Sequence, residues 1–108
     1  MELPNRELRR VSARKVTAYL LDLEHPDGGS KARFFLAFGF DAVSLTDALM
    51  AHPMQNPVDR IATTPHGRQH IVRGPVQAPD GRQPRITSVW IVREDGAPDL
   101  VTAYPGRS

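Results

Sequence analysis

A histidine in a glycine-rich break, a lysine just beyond it and hydroxyls along two strand-like runs are the residues of this chain best suited to phosphate chemistry. His25 lies in Glu24-His25-Pro26-Asp27-Gly28-Gly29, and Lys31 follows at the expected start of a helix. Thr87 or Ser88, Thr102 and Tyr104 supply the hydroxyls. An imidazole titrates near neutrality, so it can move a proton at a reacting centre. A lysine at a helix start opposes the helix dipole but joins backbone donors that gather phosphate. Each type also has a plain structural use: a loop histidine bonds a carbonyl, a lysine is solvated, and threonine is common in strands.

The elements that must position these residues follow from periodicity. Val16, Tyr19, Leu20 and Leu23 recur at helical spacing behind Ser12, a good N-cap, so a first helix is expected over about Ala13–Asp22. Ser30 is expected to cap a second over Lys31–Phe38, stopped by Gly39, and a third is expected over about Leu45–Ala51, ending near His52-Pro53. There His52 would close the helix favourably as a cation. Beyond Pro57 the period moves toward two. Strands are expected near 60–63, 69–76, 85–93 and 99–104, with Pro65-His66-Gly67, Pro79-Asp80-Gly81 and Glu94-Asp95-Gly96 as reversals. Three short helices followed by a four-stranded antiparallel β-meander make an α+β fold. The third strand is apolar on both faces and should be central and covered, with Trp90 in the core.

Composition bounds the function classes. A chain of 108 residues suits one domain, 1–108, with a helical half at about 6–52 and a β-meander half at about 59–105. No apolar run approaches the roughly 20 residues of a membrane span, and the N-terminus does not read as a secretory signal, so no membrane partner is expected and the cytoplasm is the default location. Without cysteine there are no disulfides or thiolate metal sites. His66 and His70 have a spacing compatible with metal ligation, yet a turn separates them and no acidic ligand stands beside them, so neither a metal nor a cofactor is assigned. Nucleotide-binding loops and the hydrolase elbow are absent. The net charge of +2 is small, but the arginines and lysines at turns and strand ends could border a polyanion groove.

Tyr19-Leu20-Leu21, His25-Pro26, Lys31-Ala32 with Phe34-Phe35, Gly39-Phe40, Pro79-Asp80-Gly81-Arg82, Val89-Trp90-Ile91 and Leu100-Val101-Thr102-Ala103-Tyr104-Pro105 stand in order along nearly the whole chain. This pattern resembles a bacterial domain family of unknown function. More distantly, the layout and the Thr-Ala-Tyr-Pro ending are similar to the superfamily of barnase, EndoU, the tRNase colicins and RelE, mostly metal-independent ribonucleases and often toxins. Asp99, where a basic residue is expected, and His70, where an aromatic is expected, depart from the pattern. The resemblance implies a RelE/barnase-like layout and an endoribonuclease, toxin or effector, that uses the 2′-hydroxyl of RNA as nucleophile. His25 would do acid/base work, Lys31 would meet phosphate charge, Thr87 and Thr102 would position groups, and Tyr104 would stack or donate. Arg33, Arg68 and Arg85 would bind RNA. RNA and a small acidic antitoxin or immunity protein are the implied partners. The alternative is a non-catalytic protein- or nucleic-acid-binding module.

Overall fold

Alternating apolar residues after Pro57 form four strands, β1 (Val58–Thr64), β2 (Gly67–Pro75), β3 (Arg85–Val92) and β4 (Pro98–Pro105), in a computed structural model that describes residues 1–106. They pair antiparallel in sequence order, so β1 and β4 are the edges. The β2–β3 register runs unbroken from Arg68 opposite Val92 to Pro75 opposite Arg85. Three helices precede the sheet: α1 (Ala13–Lys15), which continues as a π-helical turn over Val16–Leu20, α2 (Gly29–Ala37) and α3 (Ala42–Gln55). The chain is thus α+β. Among the described residues, no single helix is long and apolar enough to cross a membrane.

The helices cover one sheet face. Leu20, Phe35, Phe40, Leu45 and Leu49 pack with Val72, Ile86, Trp90, Leu100 and Ala103, and Trp90 is completely buried, as its apolar surroundings imply. Side chains alternate along strands, so Ile71, Val89, Ile91 and Thr87 belong to the opposite face. All four are buried, but they stand outside the helix-side cluster. Directly opposed pairs, Ile71 with Val89 and Gln69 with Ile91, shelter one another there.

The N-terminal segment straps the sheet from edge to edge. The Met1 carbonyl accepts from the Val58 N–H at β1 (2.7 Å), while Arg10 forms a parallel bridge with Asp99 on β4. The Arg10 guanidinium bonds both Asp99 oxygens at 2.6 and 2.9 Å, and Arg93 reaches Asp99 at 3.1 Å. The unexpected acid at position 99 therefore anchors the strap.

Each helix departs from its sequence expectation for a local reason. Ser12 caps α1 as expected, accepting from the Lys15 N–H, but the helix widens and stops at Leu20, with the Leu21 N–H bonded back to the Val16 carbonyl. Ser30 lies inside α2; Gly28 is its N-cap, and the His25 imidazole takes the Gly28 N–H. Asp41, not a later residue, starts α3 through a reciprocal capping box with Ser44. Pro53 does not end α3: its missing N–H forfeits only the bond to the Leu49 carbonyl, and the helix runs on to Gln55, where Asn56 closes it on the His52 carbonyl with both its backbone N–H and its amide.

His52 is not the exposed terminal cation that its position suggested. It is fully buried, with Nε2 at 3.1 Å from the Gly74 carbonyl and Nδ1 at 2.7 Å from Ser88 Oγ. A carbonyl only accepts, so Nε2 carries the hydrogen and Nδ1 accepts from Ser88. Ser88 accepts in turn from Trp90 Nε1 at 2.9 Å. Every polar atom in this buried chain is satisfied by a neutral ring.

Burial holds His52 below the ordinary histidine value of 6.5 and does the same to buried His70, whose Nδ1 has no hydrogen-bond partner among the described residues. With a depressed folded value the unfolded chain binds more protons below about pH 6.5, so stability present above that pH is lost as pH falls through it. Between about pH 7 and pH 5, unfolding free energy should fall by up to about 1.4 kcal/mol per pH unit for each histidine, and His52→Gln should remove part of the slope. Denaturant titrations that are flat across this range would contradict the assignment. A second prediction concerns Gly74, where a Cβ would collide with the Asn56 amide. Gly74→Ala should cost about 1–3 kcal/mol in the wild-type background and much less in Asn56→Ala, as measured by thermal and denaturant melts.

Candidate active site

The π-helical turn sets the geometry of the site. Its wider winding carries Tyr19 to the edge of β4, where its hydroxyl lies 3.0 Å from Thr102 Oγ1. Gly28 permits the next approach, since a Cβ there would collide with the Tyr19 carbonyl. The His25 ring consequently packs edge-on against the Tyr19 ring, with centroids 4.9 Å apart. His25 Nδ1 accepts from the N–H groups of Asp27 and Gly28, both at 3.0 Å, which places the ring hydrogen on Nε2.

Two lysines flank the same phenol. Lys31 Nζ is 5.4 Å from the ring centroid and donates to the Asp27 carbonyl at 2.9 Å; Lys15 Nζ is 6.0 Å away and donates to the Val101 carbonyl at 2.8 Å. Among the described residues neither lysine has a carboxylate partner, whereas Arg10, Arg73, Arg82 and Arg93 are all ion-paired. Positive charge therefore stays unneutralised around Tyr19. A cavity of about 440 Å³ opens here between Ser12, Lys15, Tyr19 and His25.

His25, Lys31 and Thr102, singled out on separate segments of the sequence, thus meet through Tyr19. Thr87 and Tyr104 lie further along the sheet. They are directly opposed on β3 and β4, and with Arg73 they line a cavity of about 320 Å³ whose floor holds the buried Thr87. Thr102 and Tyr104 share a strand face, roughly 7 Å apart along β4. The three arginines do not gather: Arg33 is exposed on α2, and Arg68 and Arg85 stand at opposite ends of the sheet. Sequence reading missed Tyr19, Lys15 and Arg73. Tyr19 fits the apolar period of its helix, and only its hydroxyl set it apart from a core residue.

Chemically, the cluster offers two ammonium groups, an imidazole N–H and a hydroxyl pair beside an open cavity. These are donors for an oxyanion. No three side chains of the metal-ligating types gather among the described residues.

Over most of its length the chain is similar in fold to a chain of the solved contact-dependent growth inhibition toxin–immunity protein complex from Klebsiella pneumoniae 342. The TM-score is 0.71 at 18% identity, over 89% of this chain and 98% of that one. No curated protein matches the chain. Residues 2–107 match the family described as a domain of unknown function, DUF6883, in keeping with the pattern of landmarks from Tyr19 to Pro105. The match spans nearly every residue, and the chain belongs to that family.

Proposed function

We propose that this domain is a toxin or effector that cleaves RNA without a metal ion, by attack of the 2′-hydroxyl on the adjacent phosphate. The observation that carries the reading is the meeting of His25, Lys31 and Thr102 around Tyr19, with two lysines that lack carboxylate partners. The fold likeness to a chain from a toxin–immunity complex supports the same class of role and makes an immunity protein or small antitoxin the expected protein partner.

The roles follow from the donors. The new bond joins O2′ to phosphorus, the bond from phosphorus to O5′ breaks, and the 2′-hydroxyl proton passes to water. Lys31, a charged acid, protonates the leaving 5′-oxygen. His25 keeps Nδ1 engaged by two backbone N–H groups, so its contribution is the Nε2–H, donated to a non-bridging oxygen as charge develops; a proton-accepting role would require that the ring first leave this cap. Lys15 holds the phosphate from the other side. Tyr19 and Thr102 fix these groups, Thr87 supports Tyr104, and Tyr104 stacks a base.

Purified protein should cut single-stranded RNA in EDTA and leave a 2′,3′-cyclic phosphate, and induced expression should degrade cellular RNA. His25→Ala and Lys31→Ala should each reduce cleavage by roughly a hundredfold or more while remaining folded. Equal activity of the wild type and both variants would remove these assignments. Absence of cleavage across a broad RNA panel would favour the non-catalytic module, a reading for which β1, an edge strand, supplies a docking edge beyond Val58. Binding provides a further test. Affinity for single-stranded RNA should fall with salt, and Lys15→Ala should lower the log–log slope by about 0.7, the share of one phosphate contact. A slope unchanged by the substitution would place Lys15 away from the backbone.

A further inference from the structure

A second cavity, of about 400 Å³, adjoins the first along the β4 edge. The two share Ser12 and Lys15, so a chain whose phosphate lies by Tyr19 has its neighbouring nucleotide at the second cavity. The lining differs in kind. Its floor is Ile91, which is only 4% exposed and lies directly opposite Gln69 on the sheet face away from the helices. His66 stands above it in the β1–β2 turn.

Its arginines are neutralised, which leaves Lys15, at the border with the first cavity, as its unpaired cation among the described residues. Arg10 and Arg93, the guanidinium groups at its rim, are both held by Asp99, and Arg10 also reaches Asp95 at 3.1 Å. Apart from the Lys15 ammonium shared with the first cavity, what remains is an apolar floor with an amide and an imidazole that make no side-chain hydrogen bonds among the described residues. Both groups can donate and accept. Lys15 can meet a phosphate where the two cavities join, whereas the amide, the imidazole and the apolar floor suit a flat neutral heterocycle with donors and acceptors on its edge.

We propose that this cavity is a base-reading subsite, in which the nucleobase next to the scissile phosphate lies over Ile91 and is read by Gln69. The amide of glutamine pairs with the donor and acceptor edge of adenine, so adenine is the favoured base. The inference rests on the RNA-cleaving reading of the Tyr19 cluster. It assigns selectivity to a residue outside the groups that handle the phosphate.

The test separates binding from cleavage. Short 2′-O-methyl oligonucleotides, which lack the nucleophile and cannot be cut, carry A, C, G or U at one central position and are titrated by fluorescence anisotropy with wild type, Gln69→Ala and Gln69→Glu. Circular dichroism establishes that all three are folded. The wild type should prefer adenine over uracil by about tenfold or more, Gln69→Ala should bind both alike, and Gln69→Glu should shift the preference toward cytosine, whose amino group donates to a carboxylate. A wild type without base preference, or a Gln69→Ala protein that keeps the wild-type preference, would overturn the subsite. Cleavage is followed separately on unmodified RNA of the same sequences. If the adenine preference depends on Gln69 but no RNA is cut, the subsite stands and the catalytic reading of the Tyr19 cluster fails.

Discussion

The hydrogen bond between Tyr19 and Thr102 joins the helical half of the chain to the sheet at the place where chemistry is concentrated. Without it, the π-helical turn would have no fixed distance from β4, and the His25 and Lys31 groups that pack on the Tyr19 ring would have no fixed place relative to the strand hydroxyls. Two further links run parallel to it. Lys15 bonds the Val101 carbonyl, and Arg10 pairs with Asp99. Together they cover the β4 edge, which would otherwise present unpaired backbone groups to another chain. One set of contacts thus protects an edge and builds a site.

The same residue types do opposite work at two places in this small fold. His52, Ser88 and Trp90 form a hydrogen-bonded chain with the spacing of reactive groups, yet all three are buried and mutually satisfied, so their contribution is to fix α3 on β2 and β3. His25 and the two lysines are only half-buried, and the lysines bond neutral carbonyls instead of carboxylates. A neutral acceptor orients an ammonium group without cancelling its charge. Elsewhere on the surface the acids neutralise arginines, at Asp59 with Arg73, Asp80 with Arg82 and Asp99 with Arg10 and Arg93. Positive charge therefore stays unneutralised at the Tyr19 cluster, as it also does, among the described residues, at exposed arginines such as Arg14 and Arg33.

Much of the fold was legible because its signals are local. Period-two runs and Gly-containing reversals located all four strands to within a few residues, and Trp90 read as core from its neighbours. Helix limits were harder. The α2 cap is an imidazole, which no preference for Ser or Asp anticipates, and α3 passes through Pro53, whose missing N–H forfeits only one bond near the helix end. His25, Lys31 and Thr102 were legible as types, but not as neighbours: their meeting depends on a π-helical turn and on a glycine that yields to a carbonyl, features set by packing. Tyr19 was hidden by its own periodicity. His52 misled for the complementary reason, since sequence position indicates a helix end but not the depth at which it is buried.

The most direct test of this account is a double-mutant cycle across the Tyr19–Thr102 bond, with Tyr19→Phe, Thr102→Val and the combined variant compared by denaturant unfolding. Both substitutions preserve shape and remove one hydroxyl. Each alone should lower stability by about 1 kcal/mol, and the pair should cost little more than either single change, a coupling of about 1 kcal/mol. Strictly additive losses would contradict the account, because they would mean that the two hydroxyls do not hold the halves of the site together.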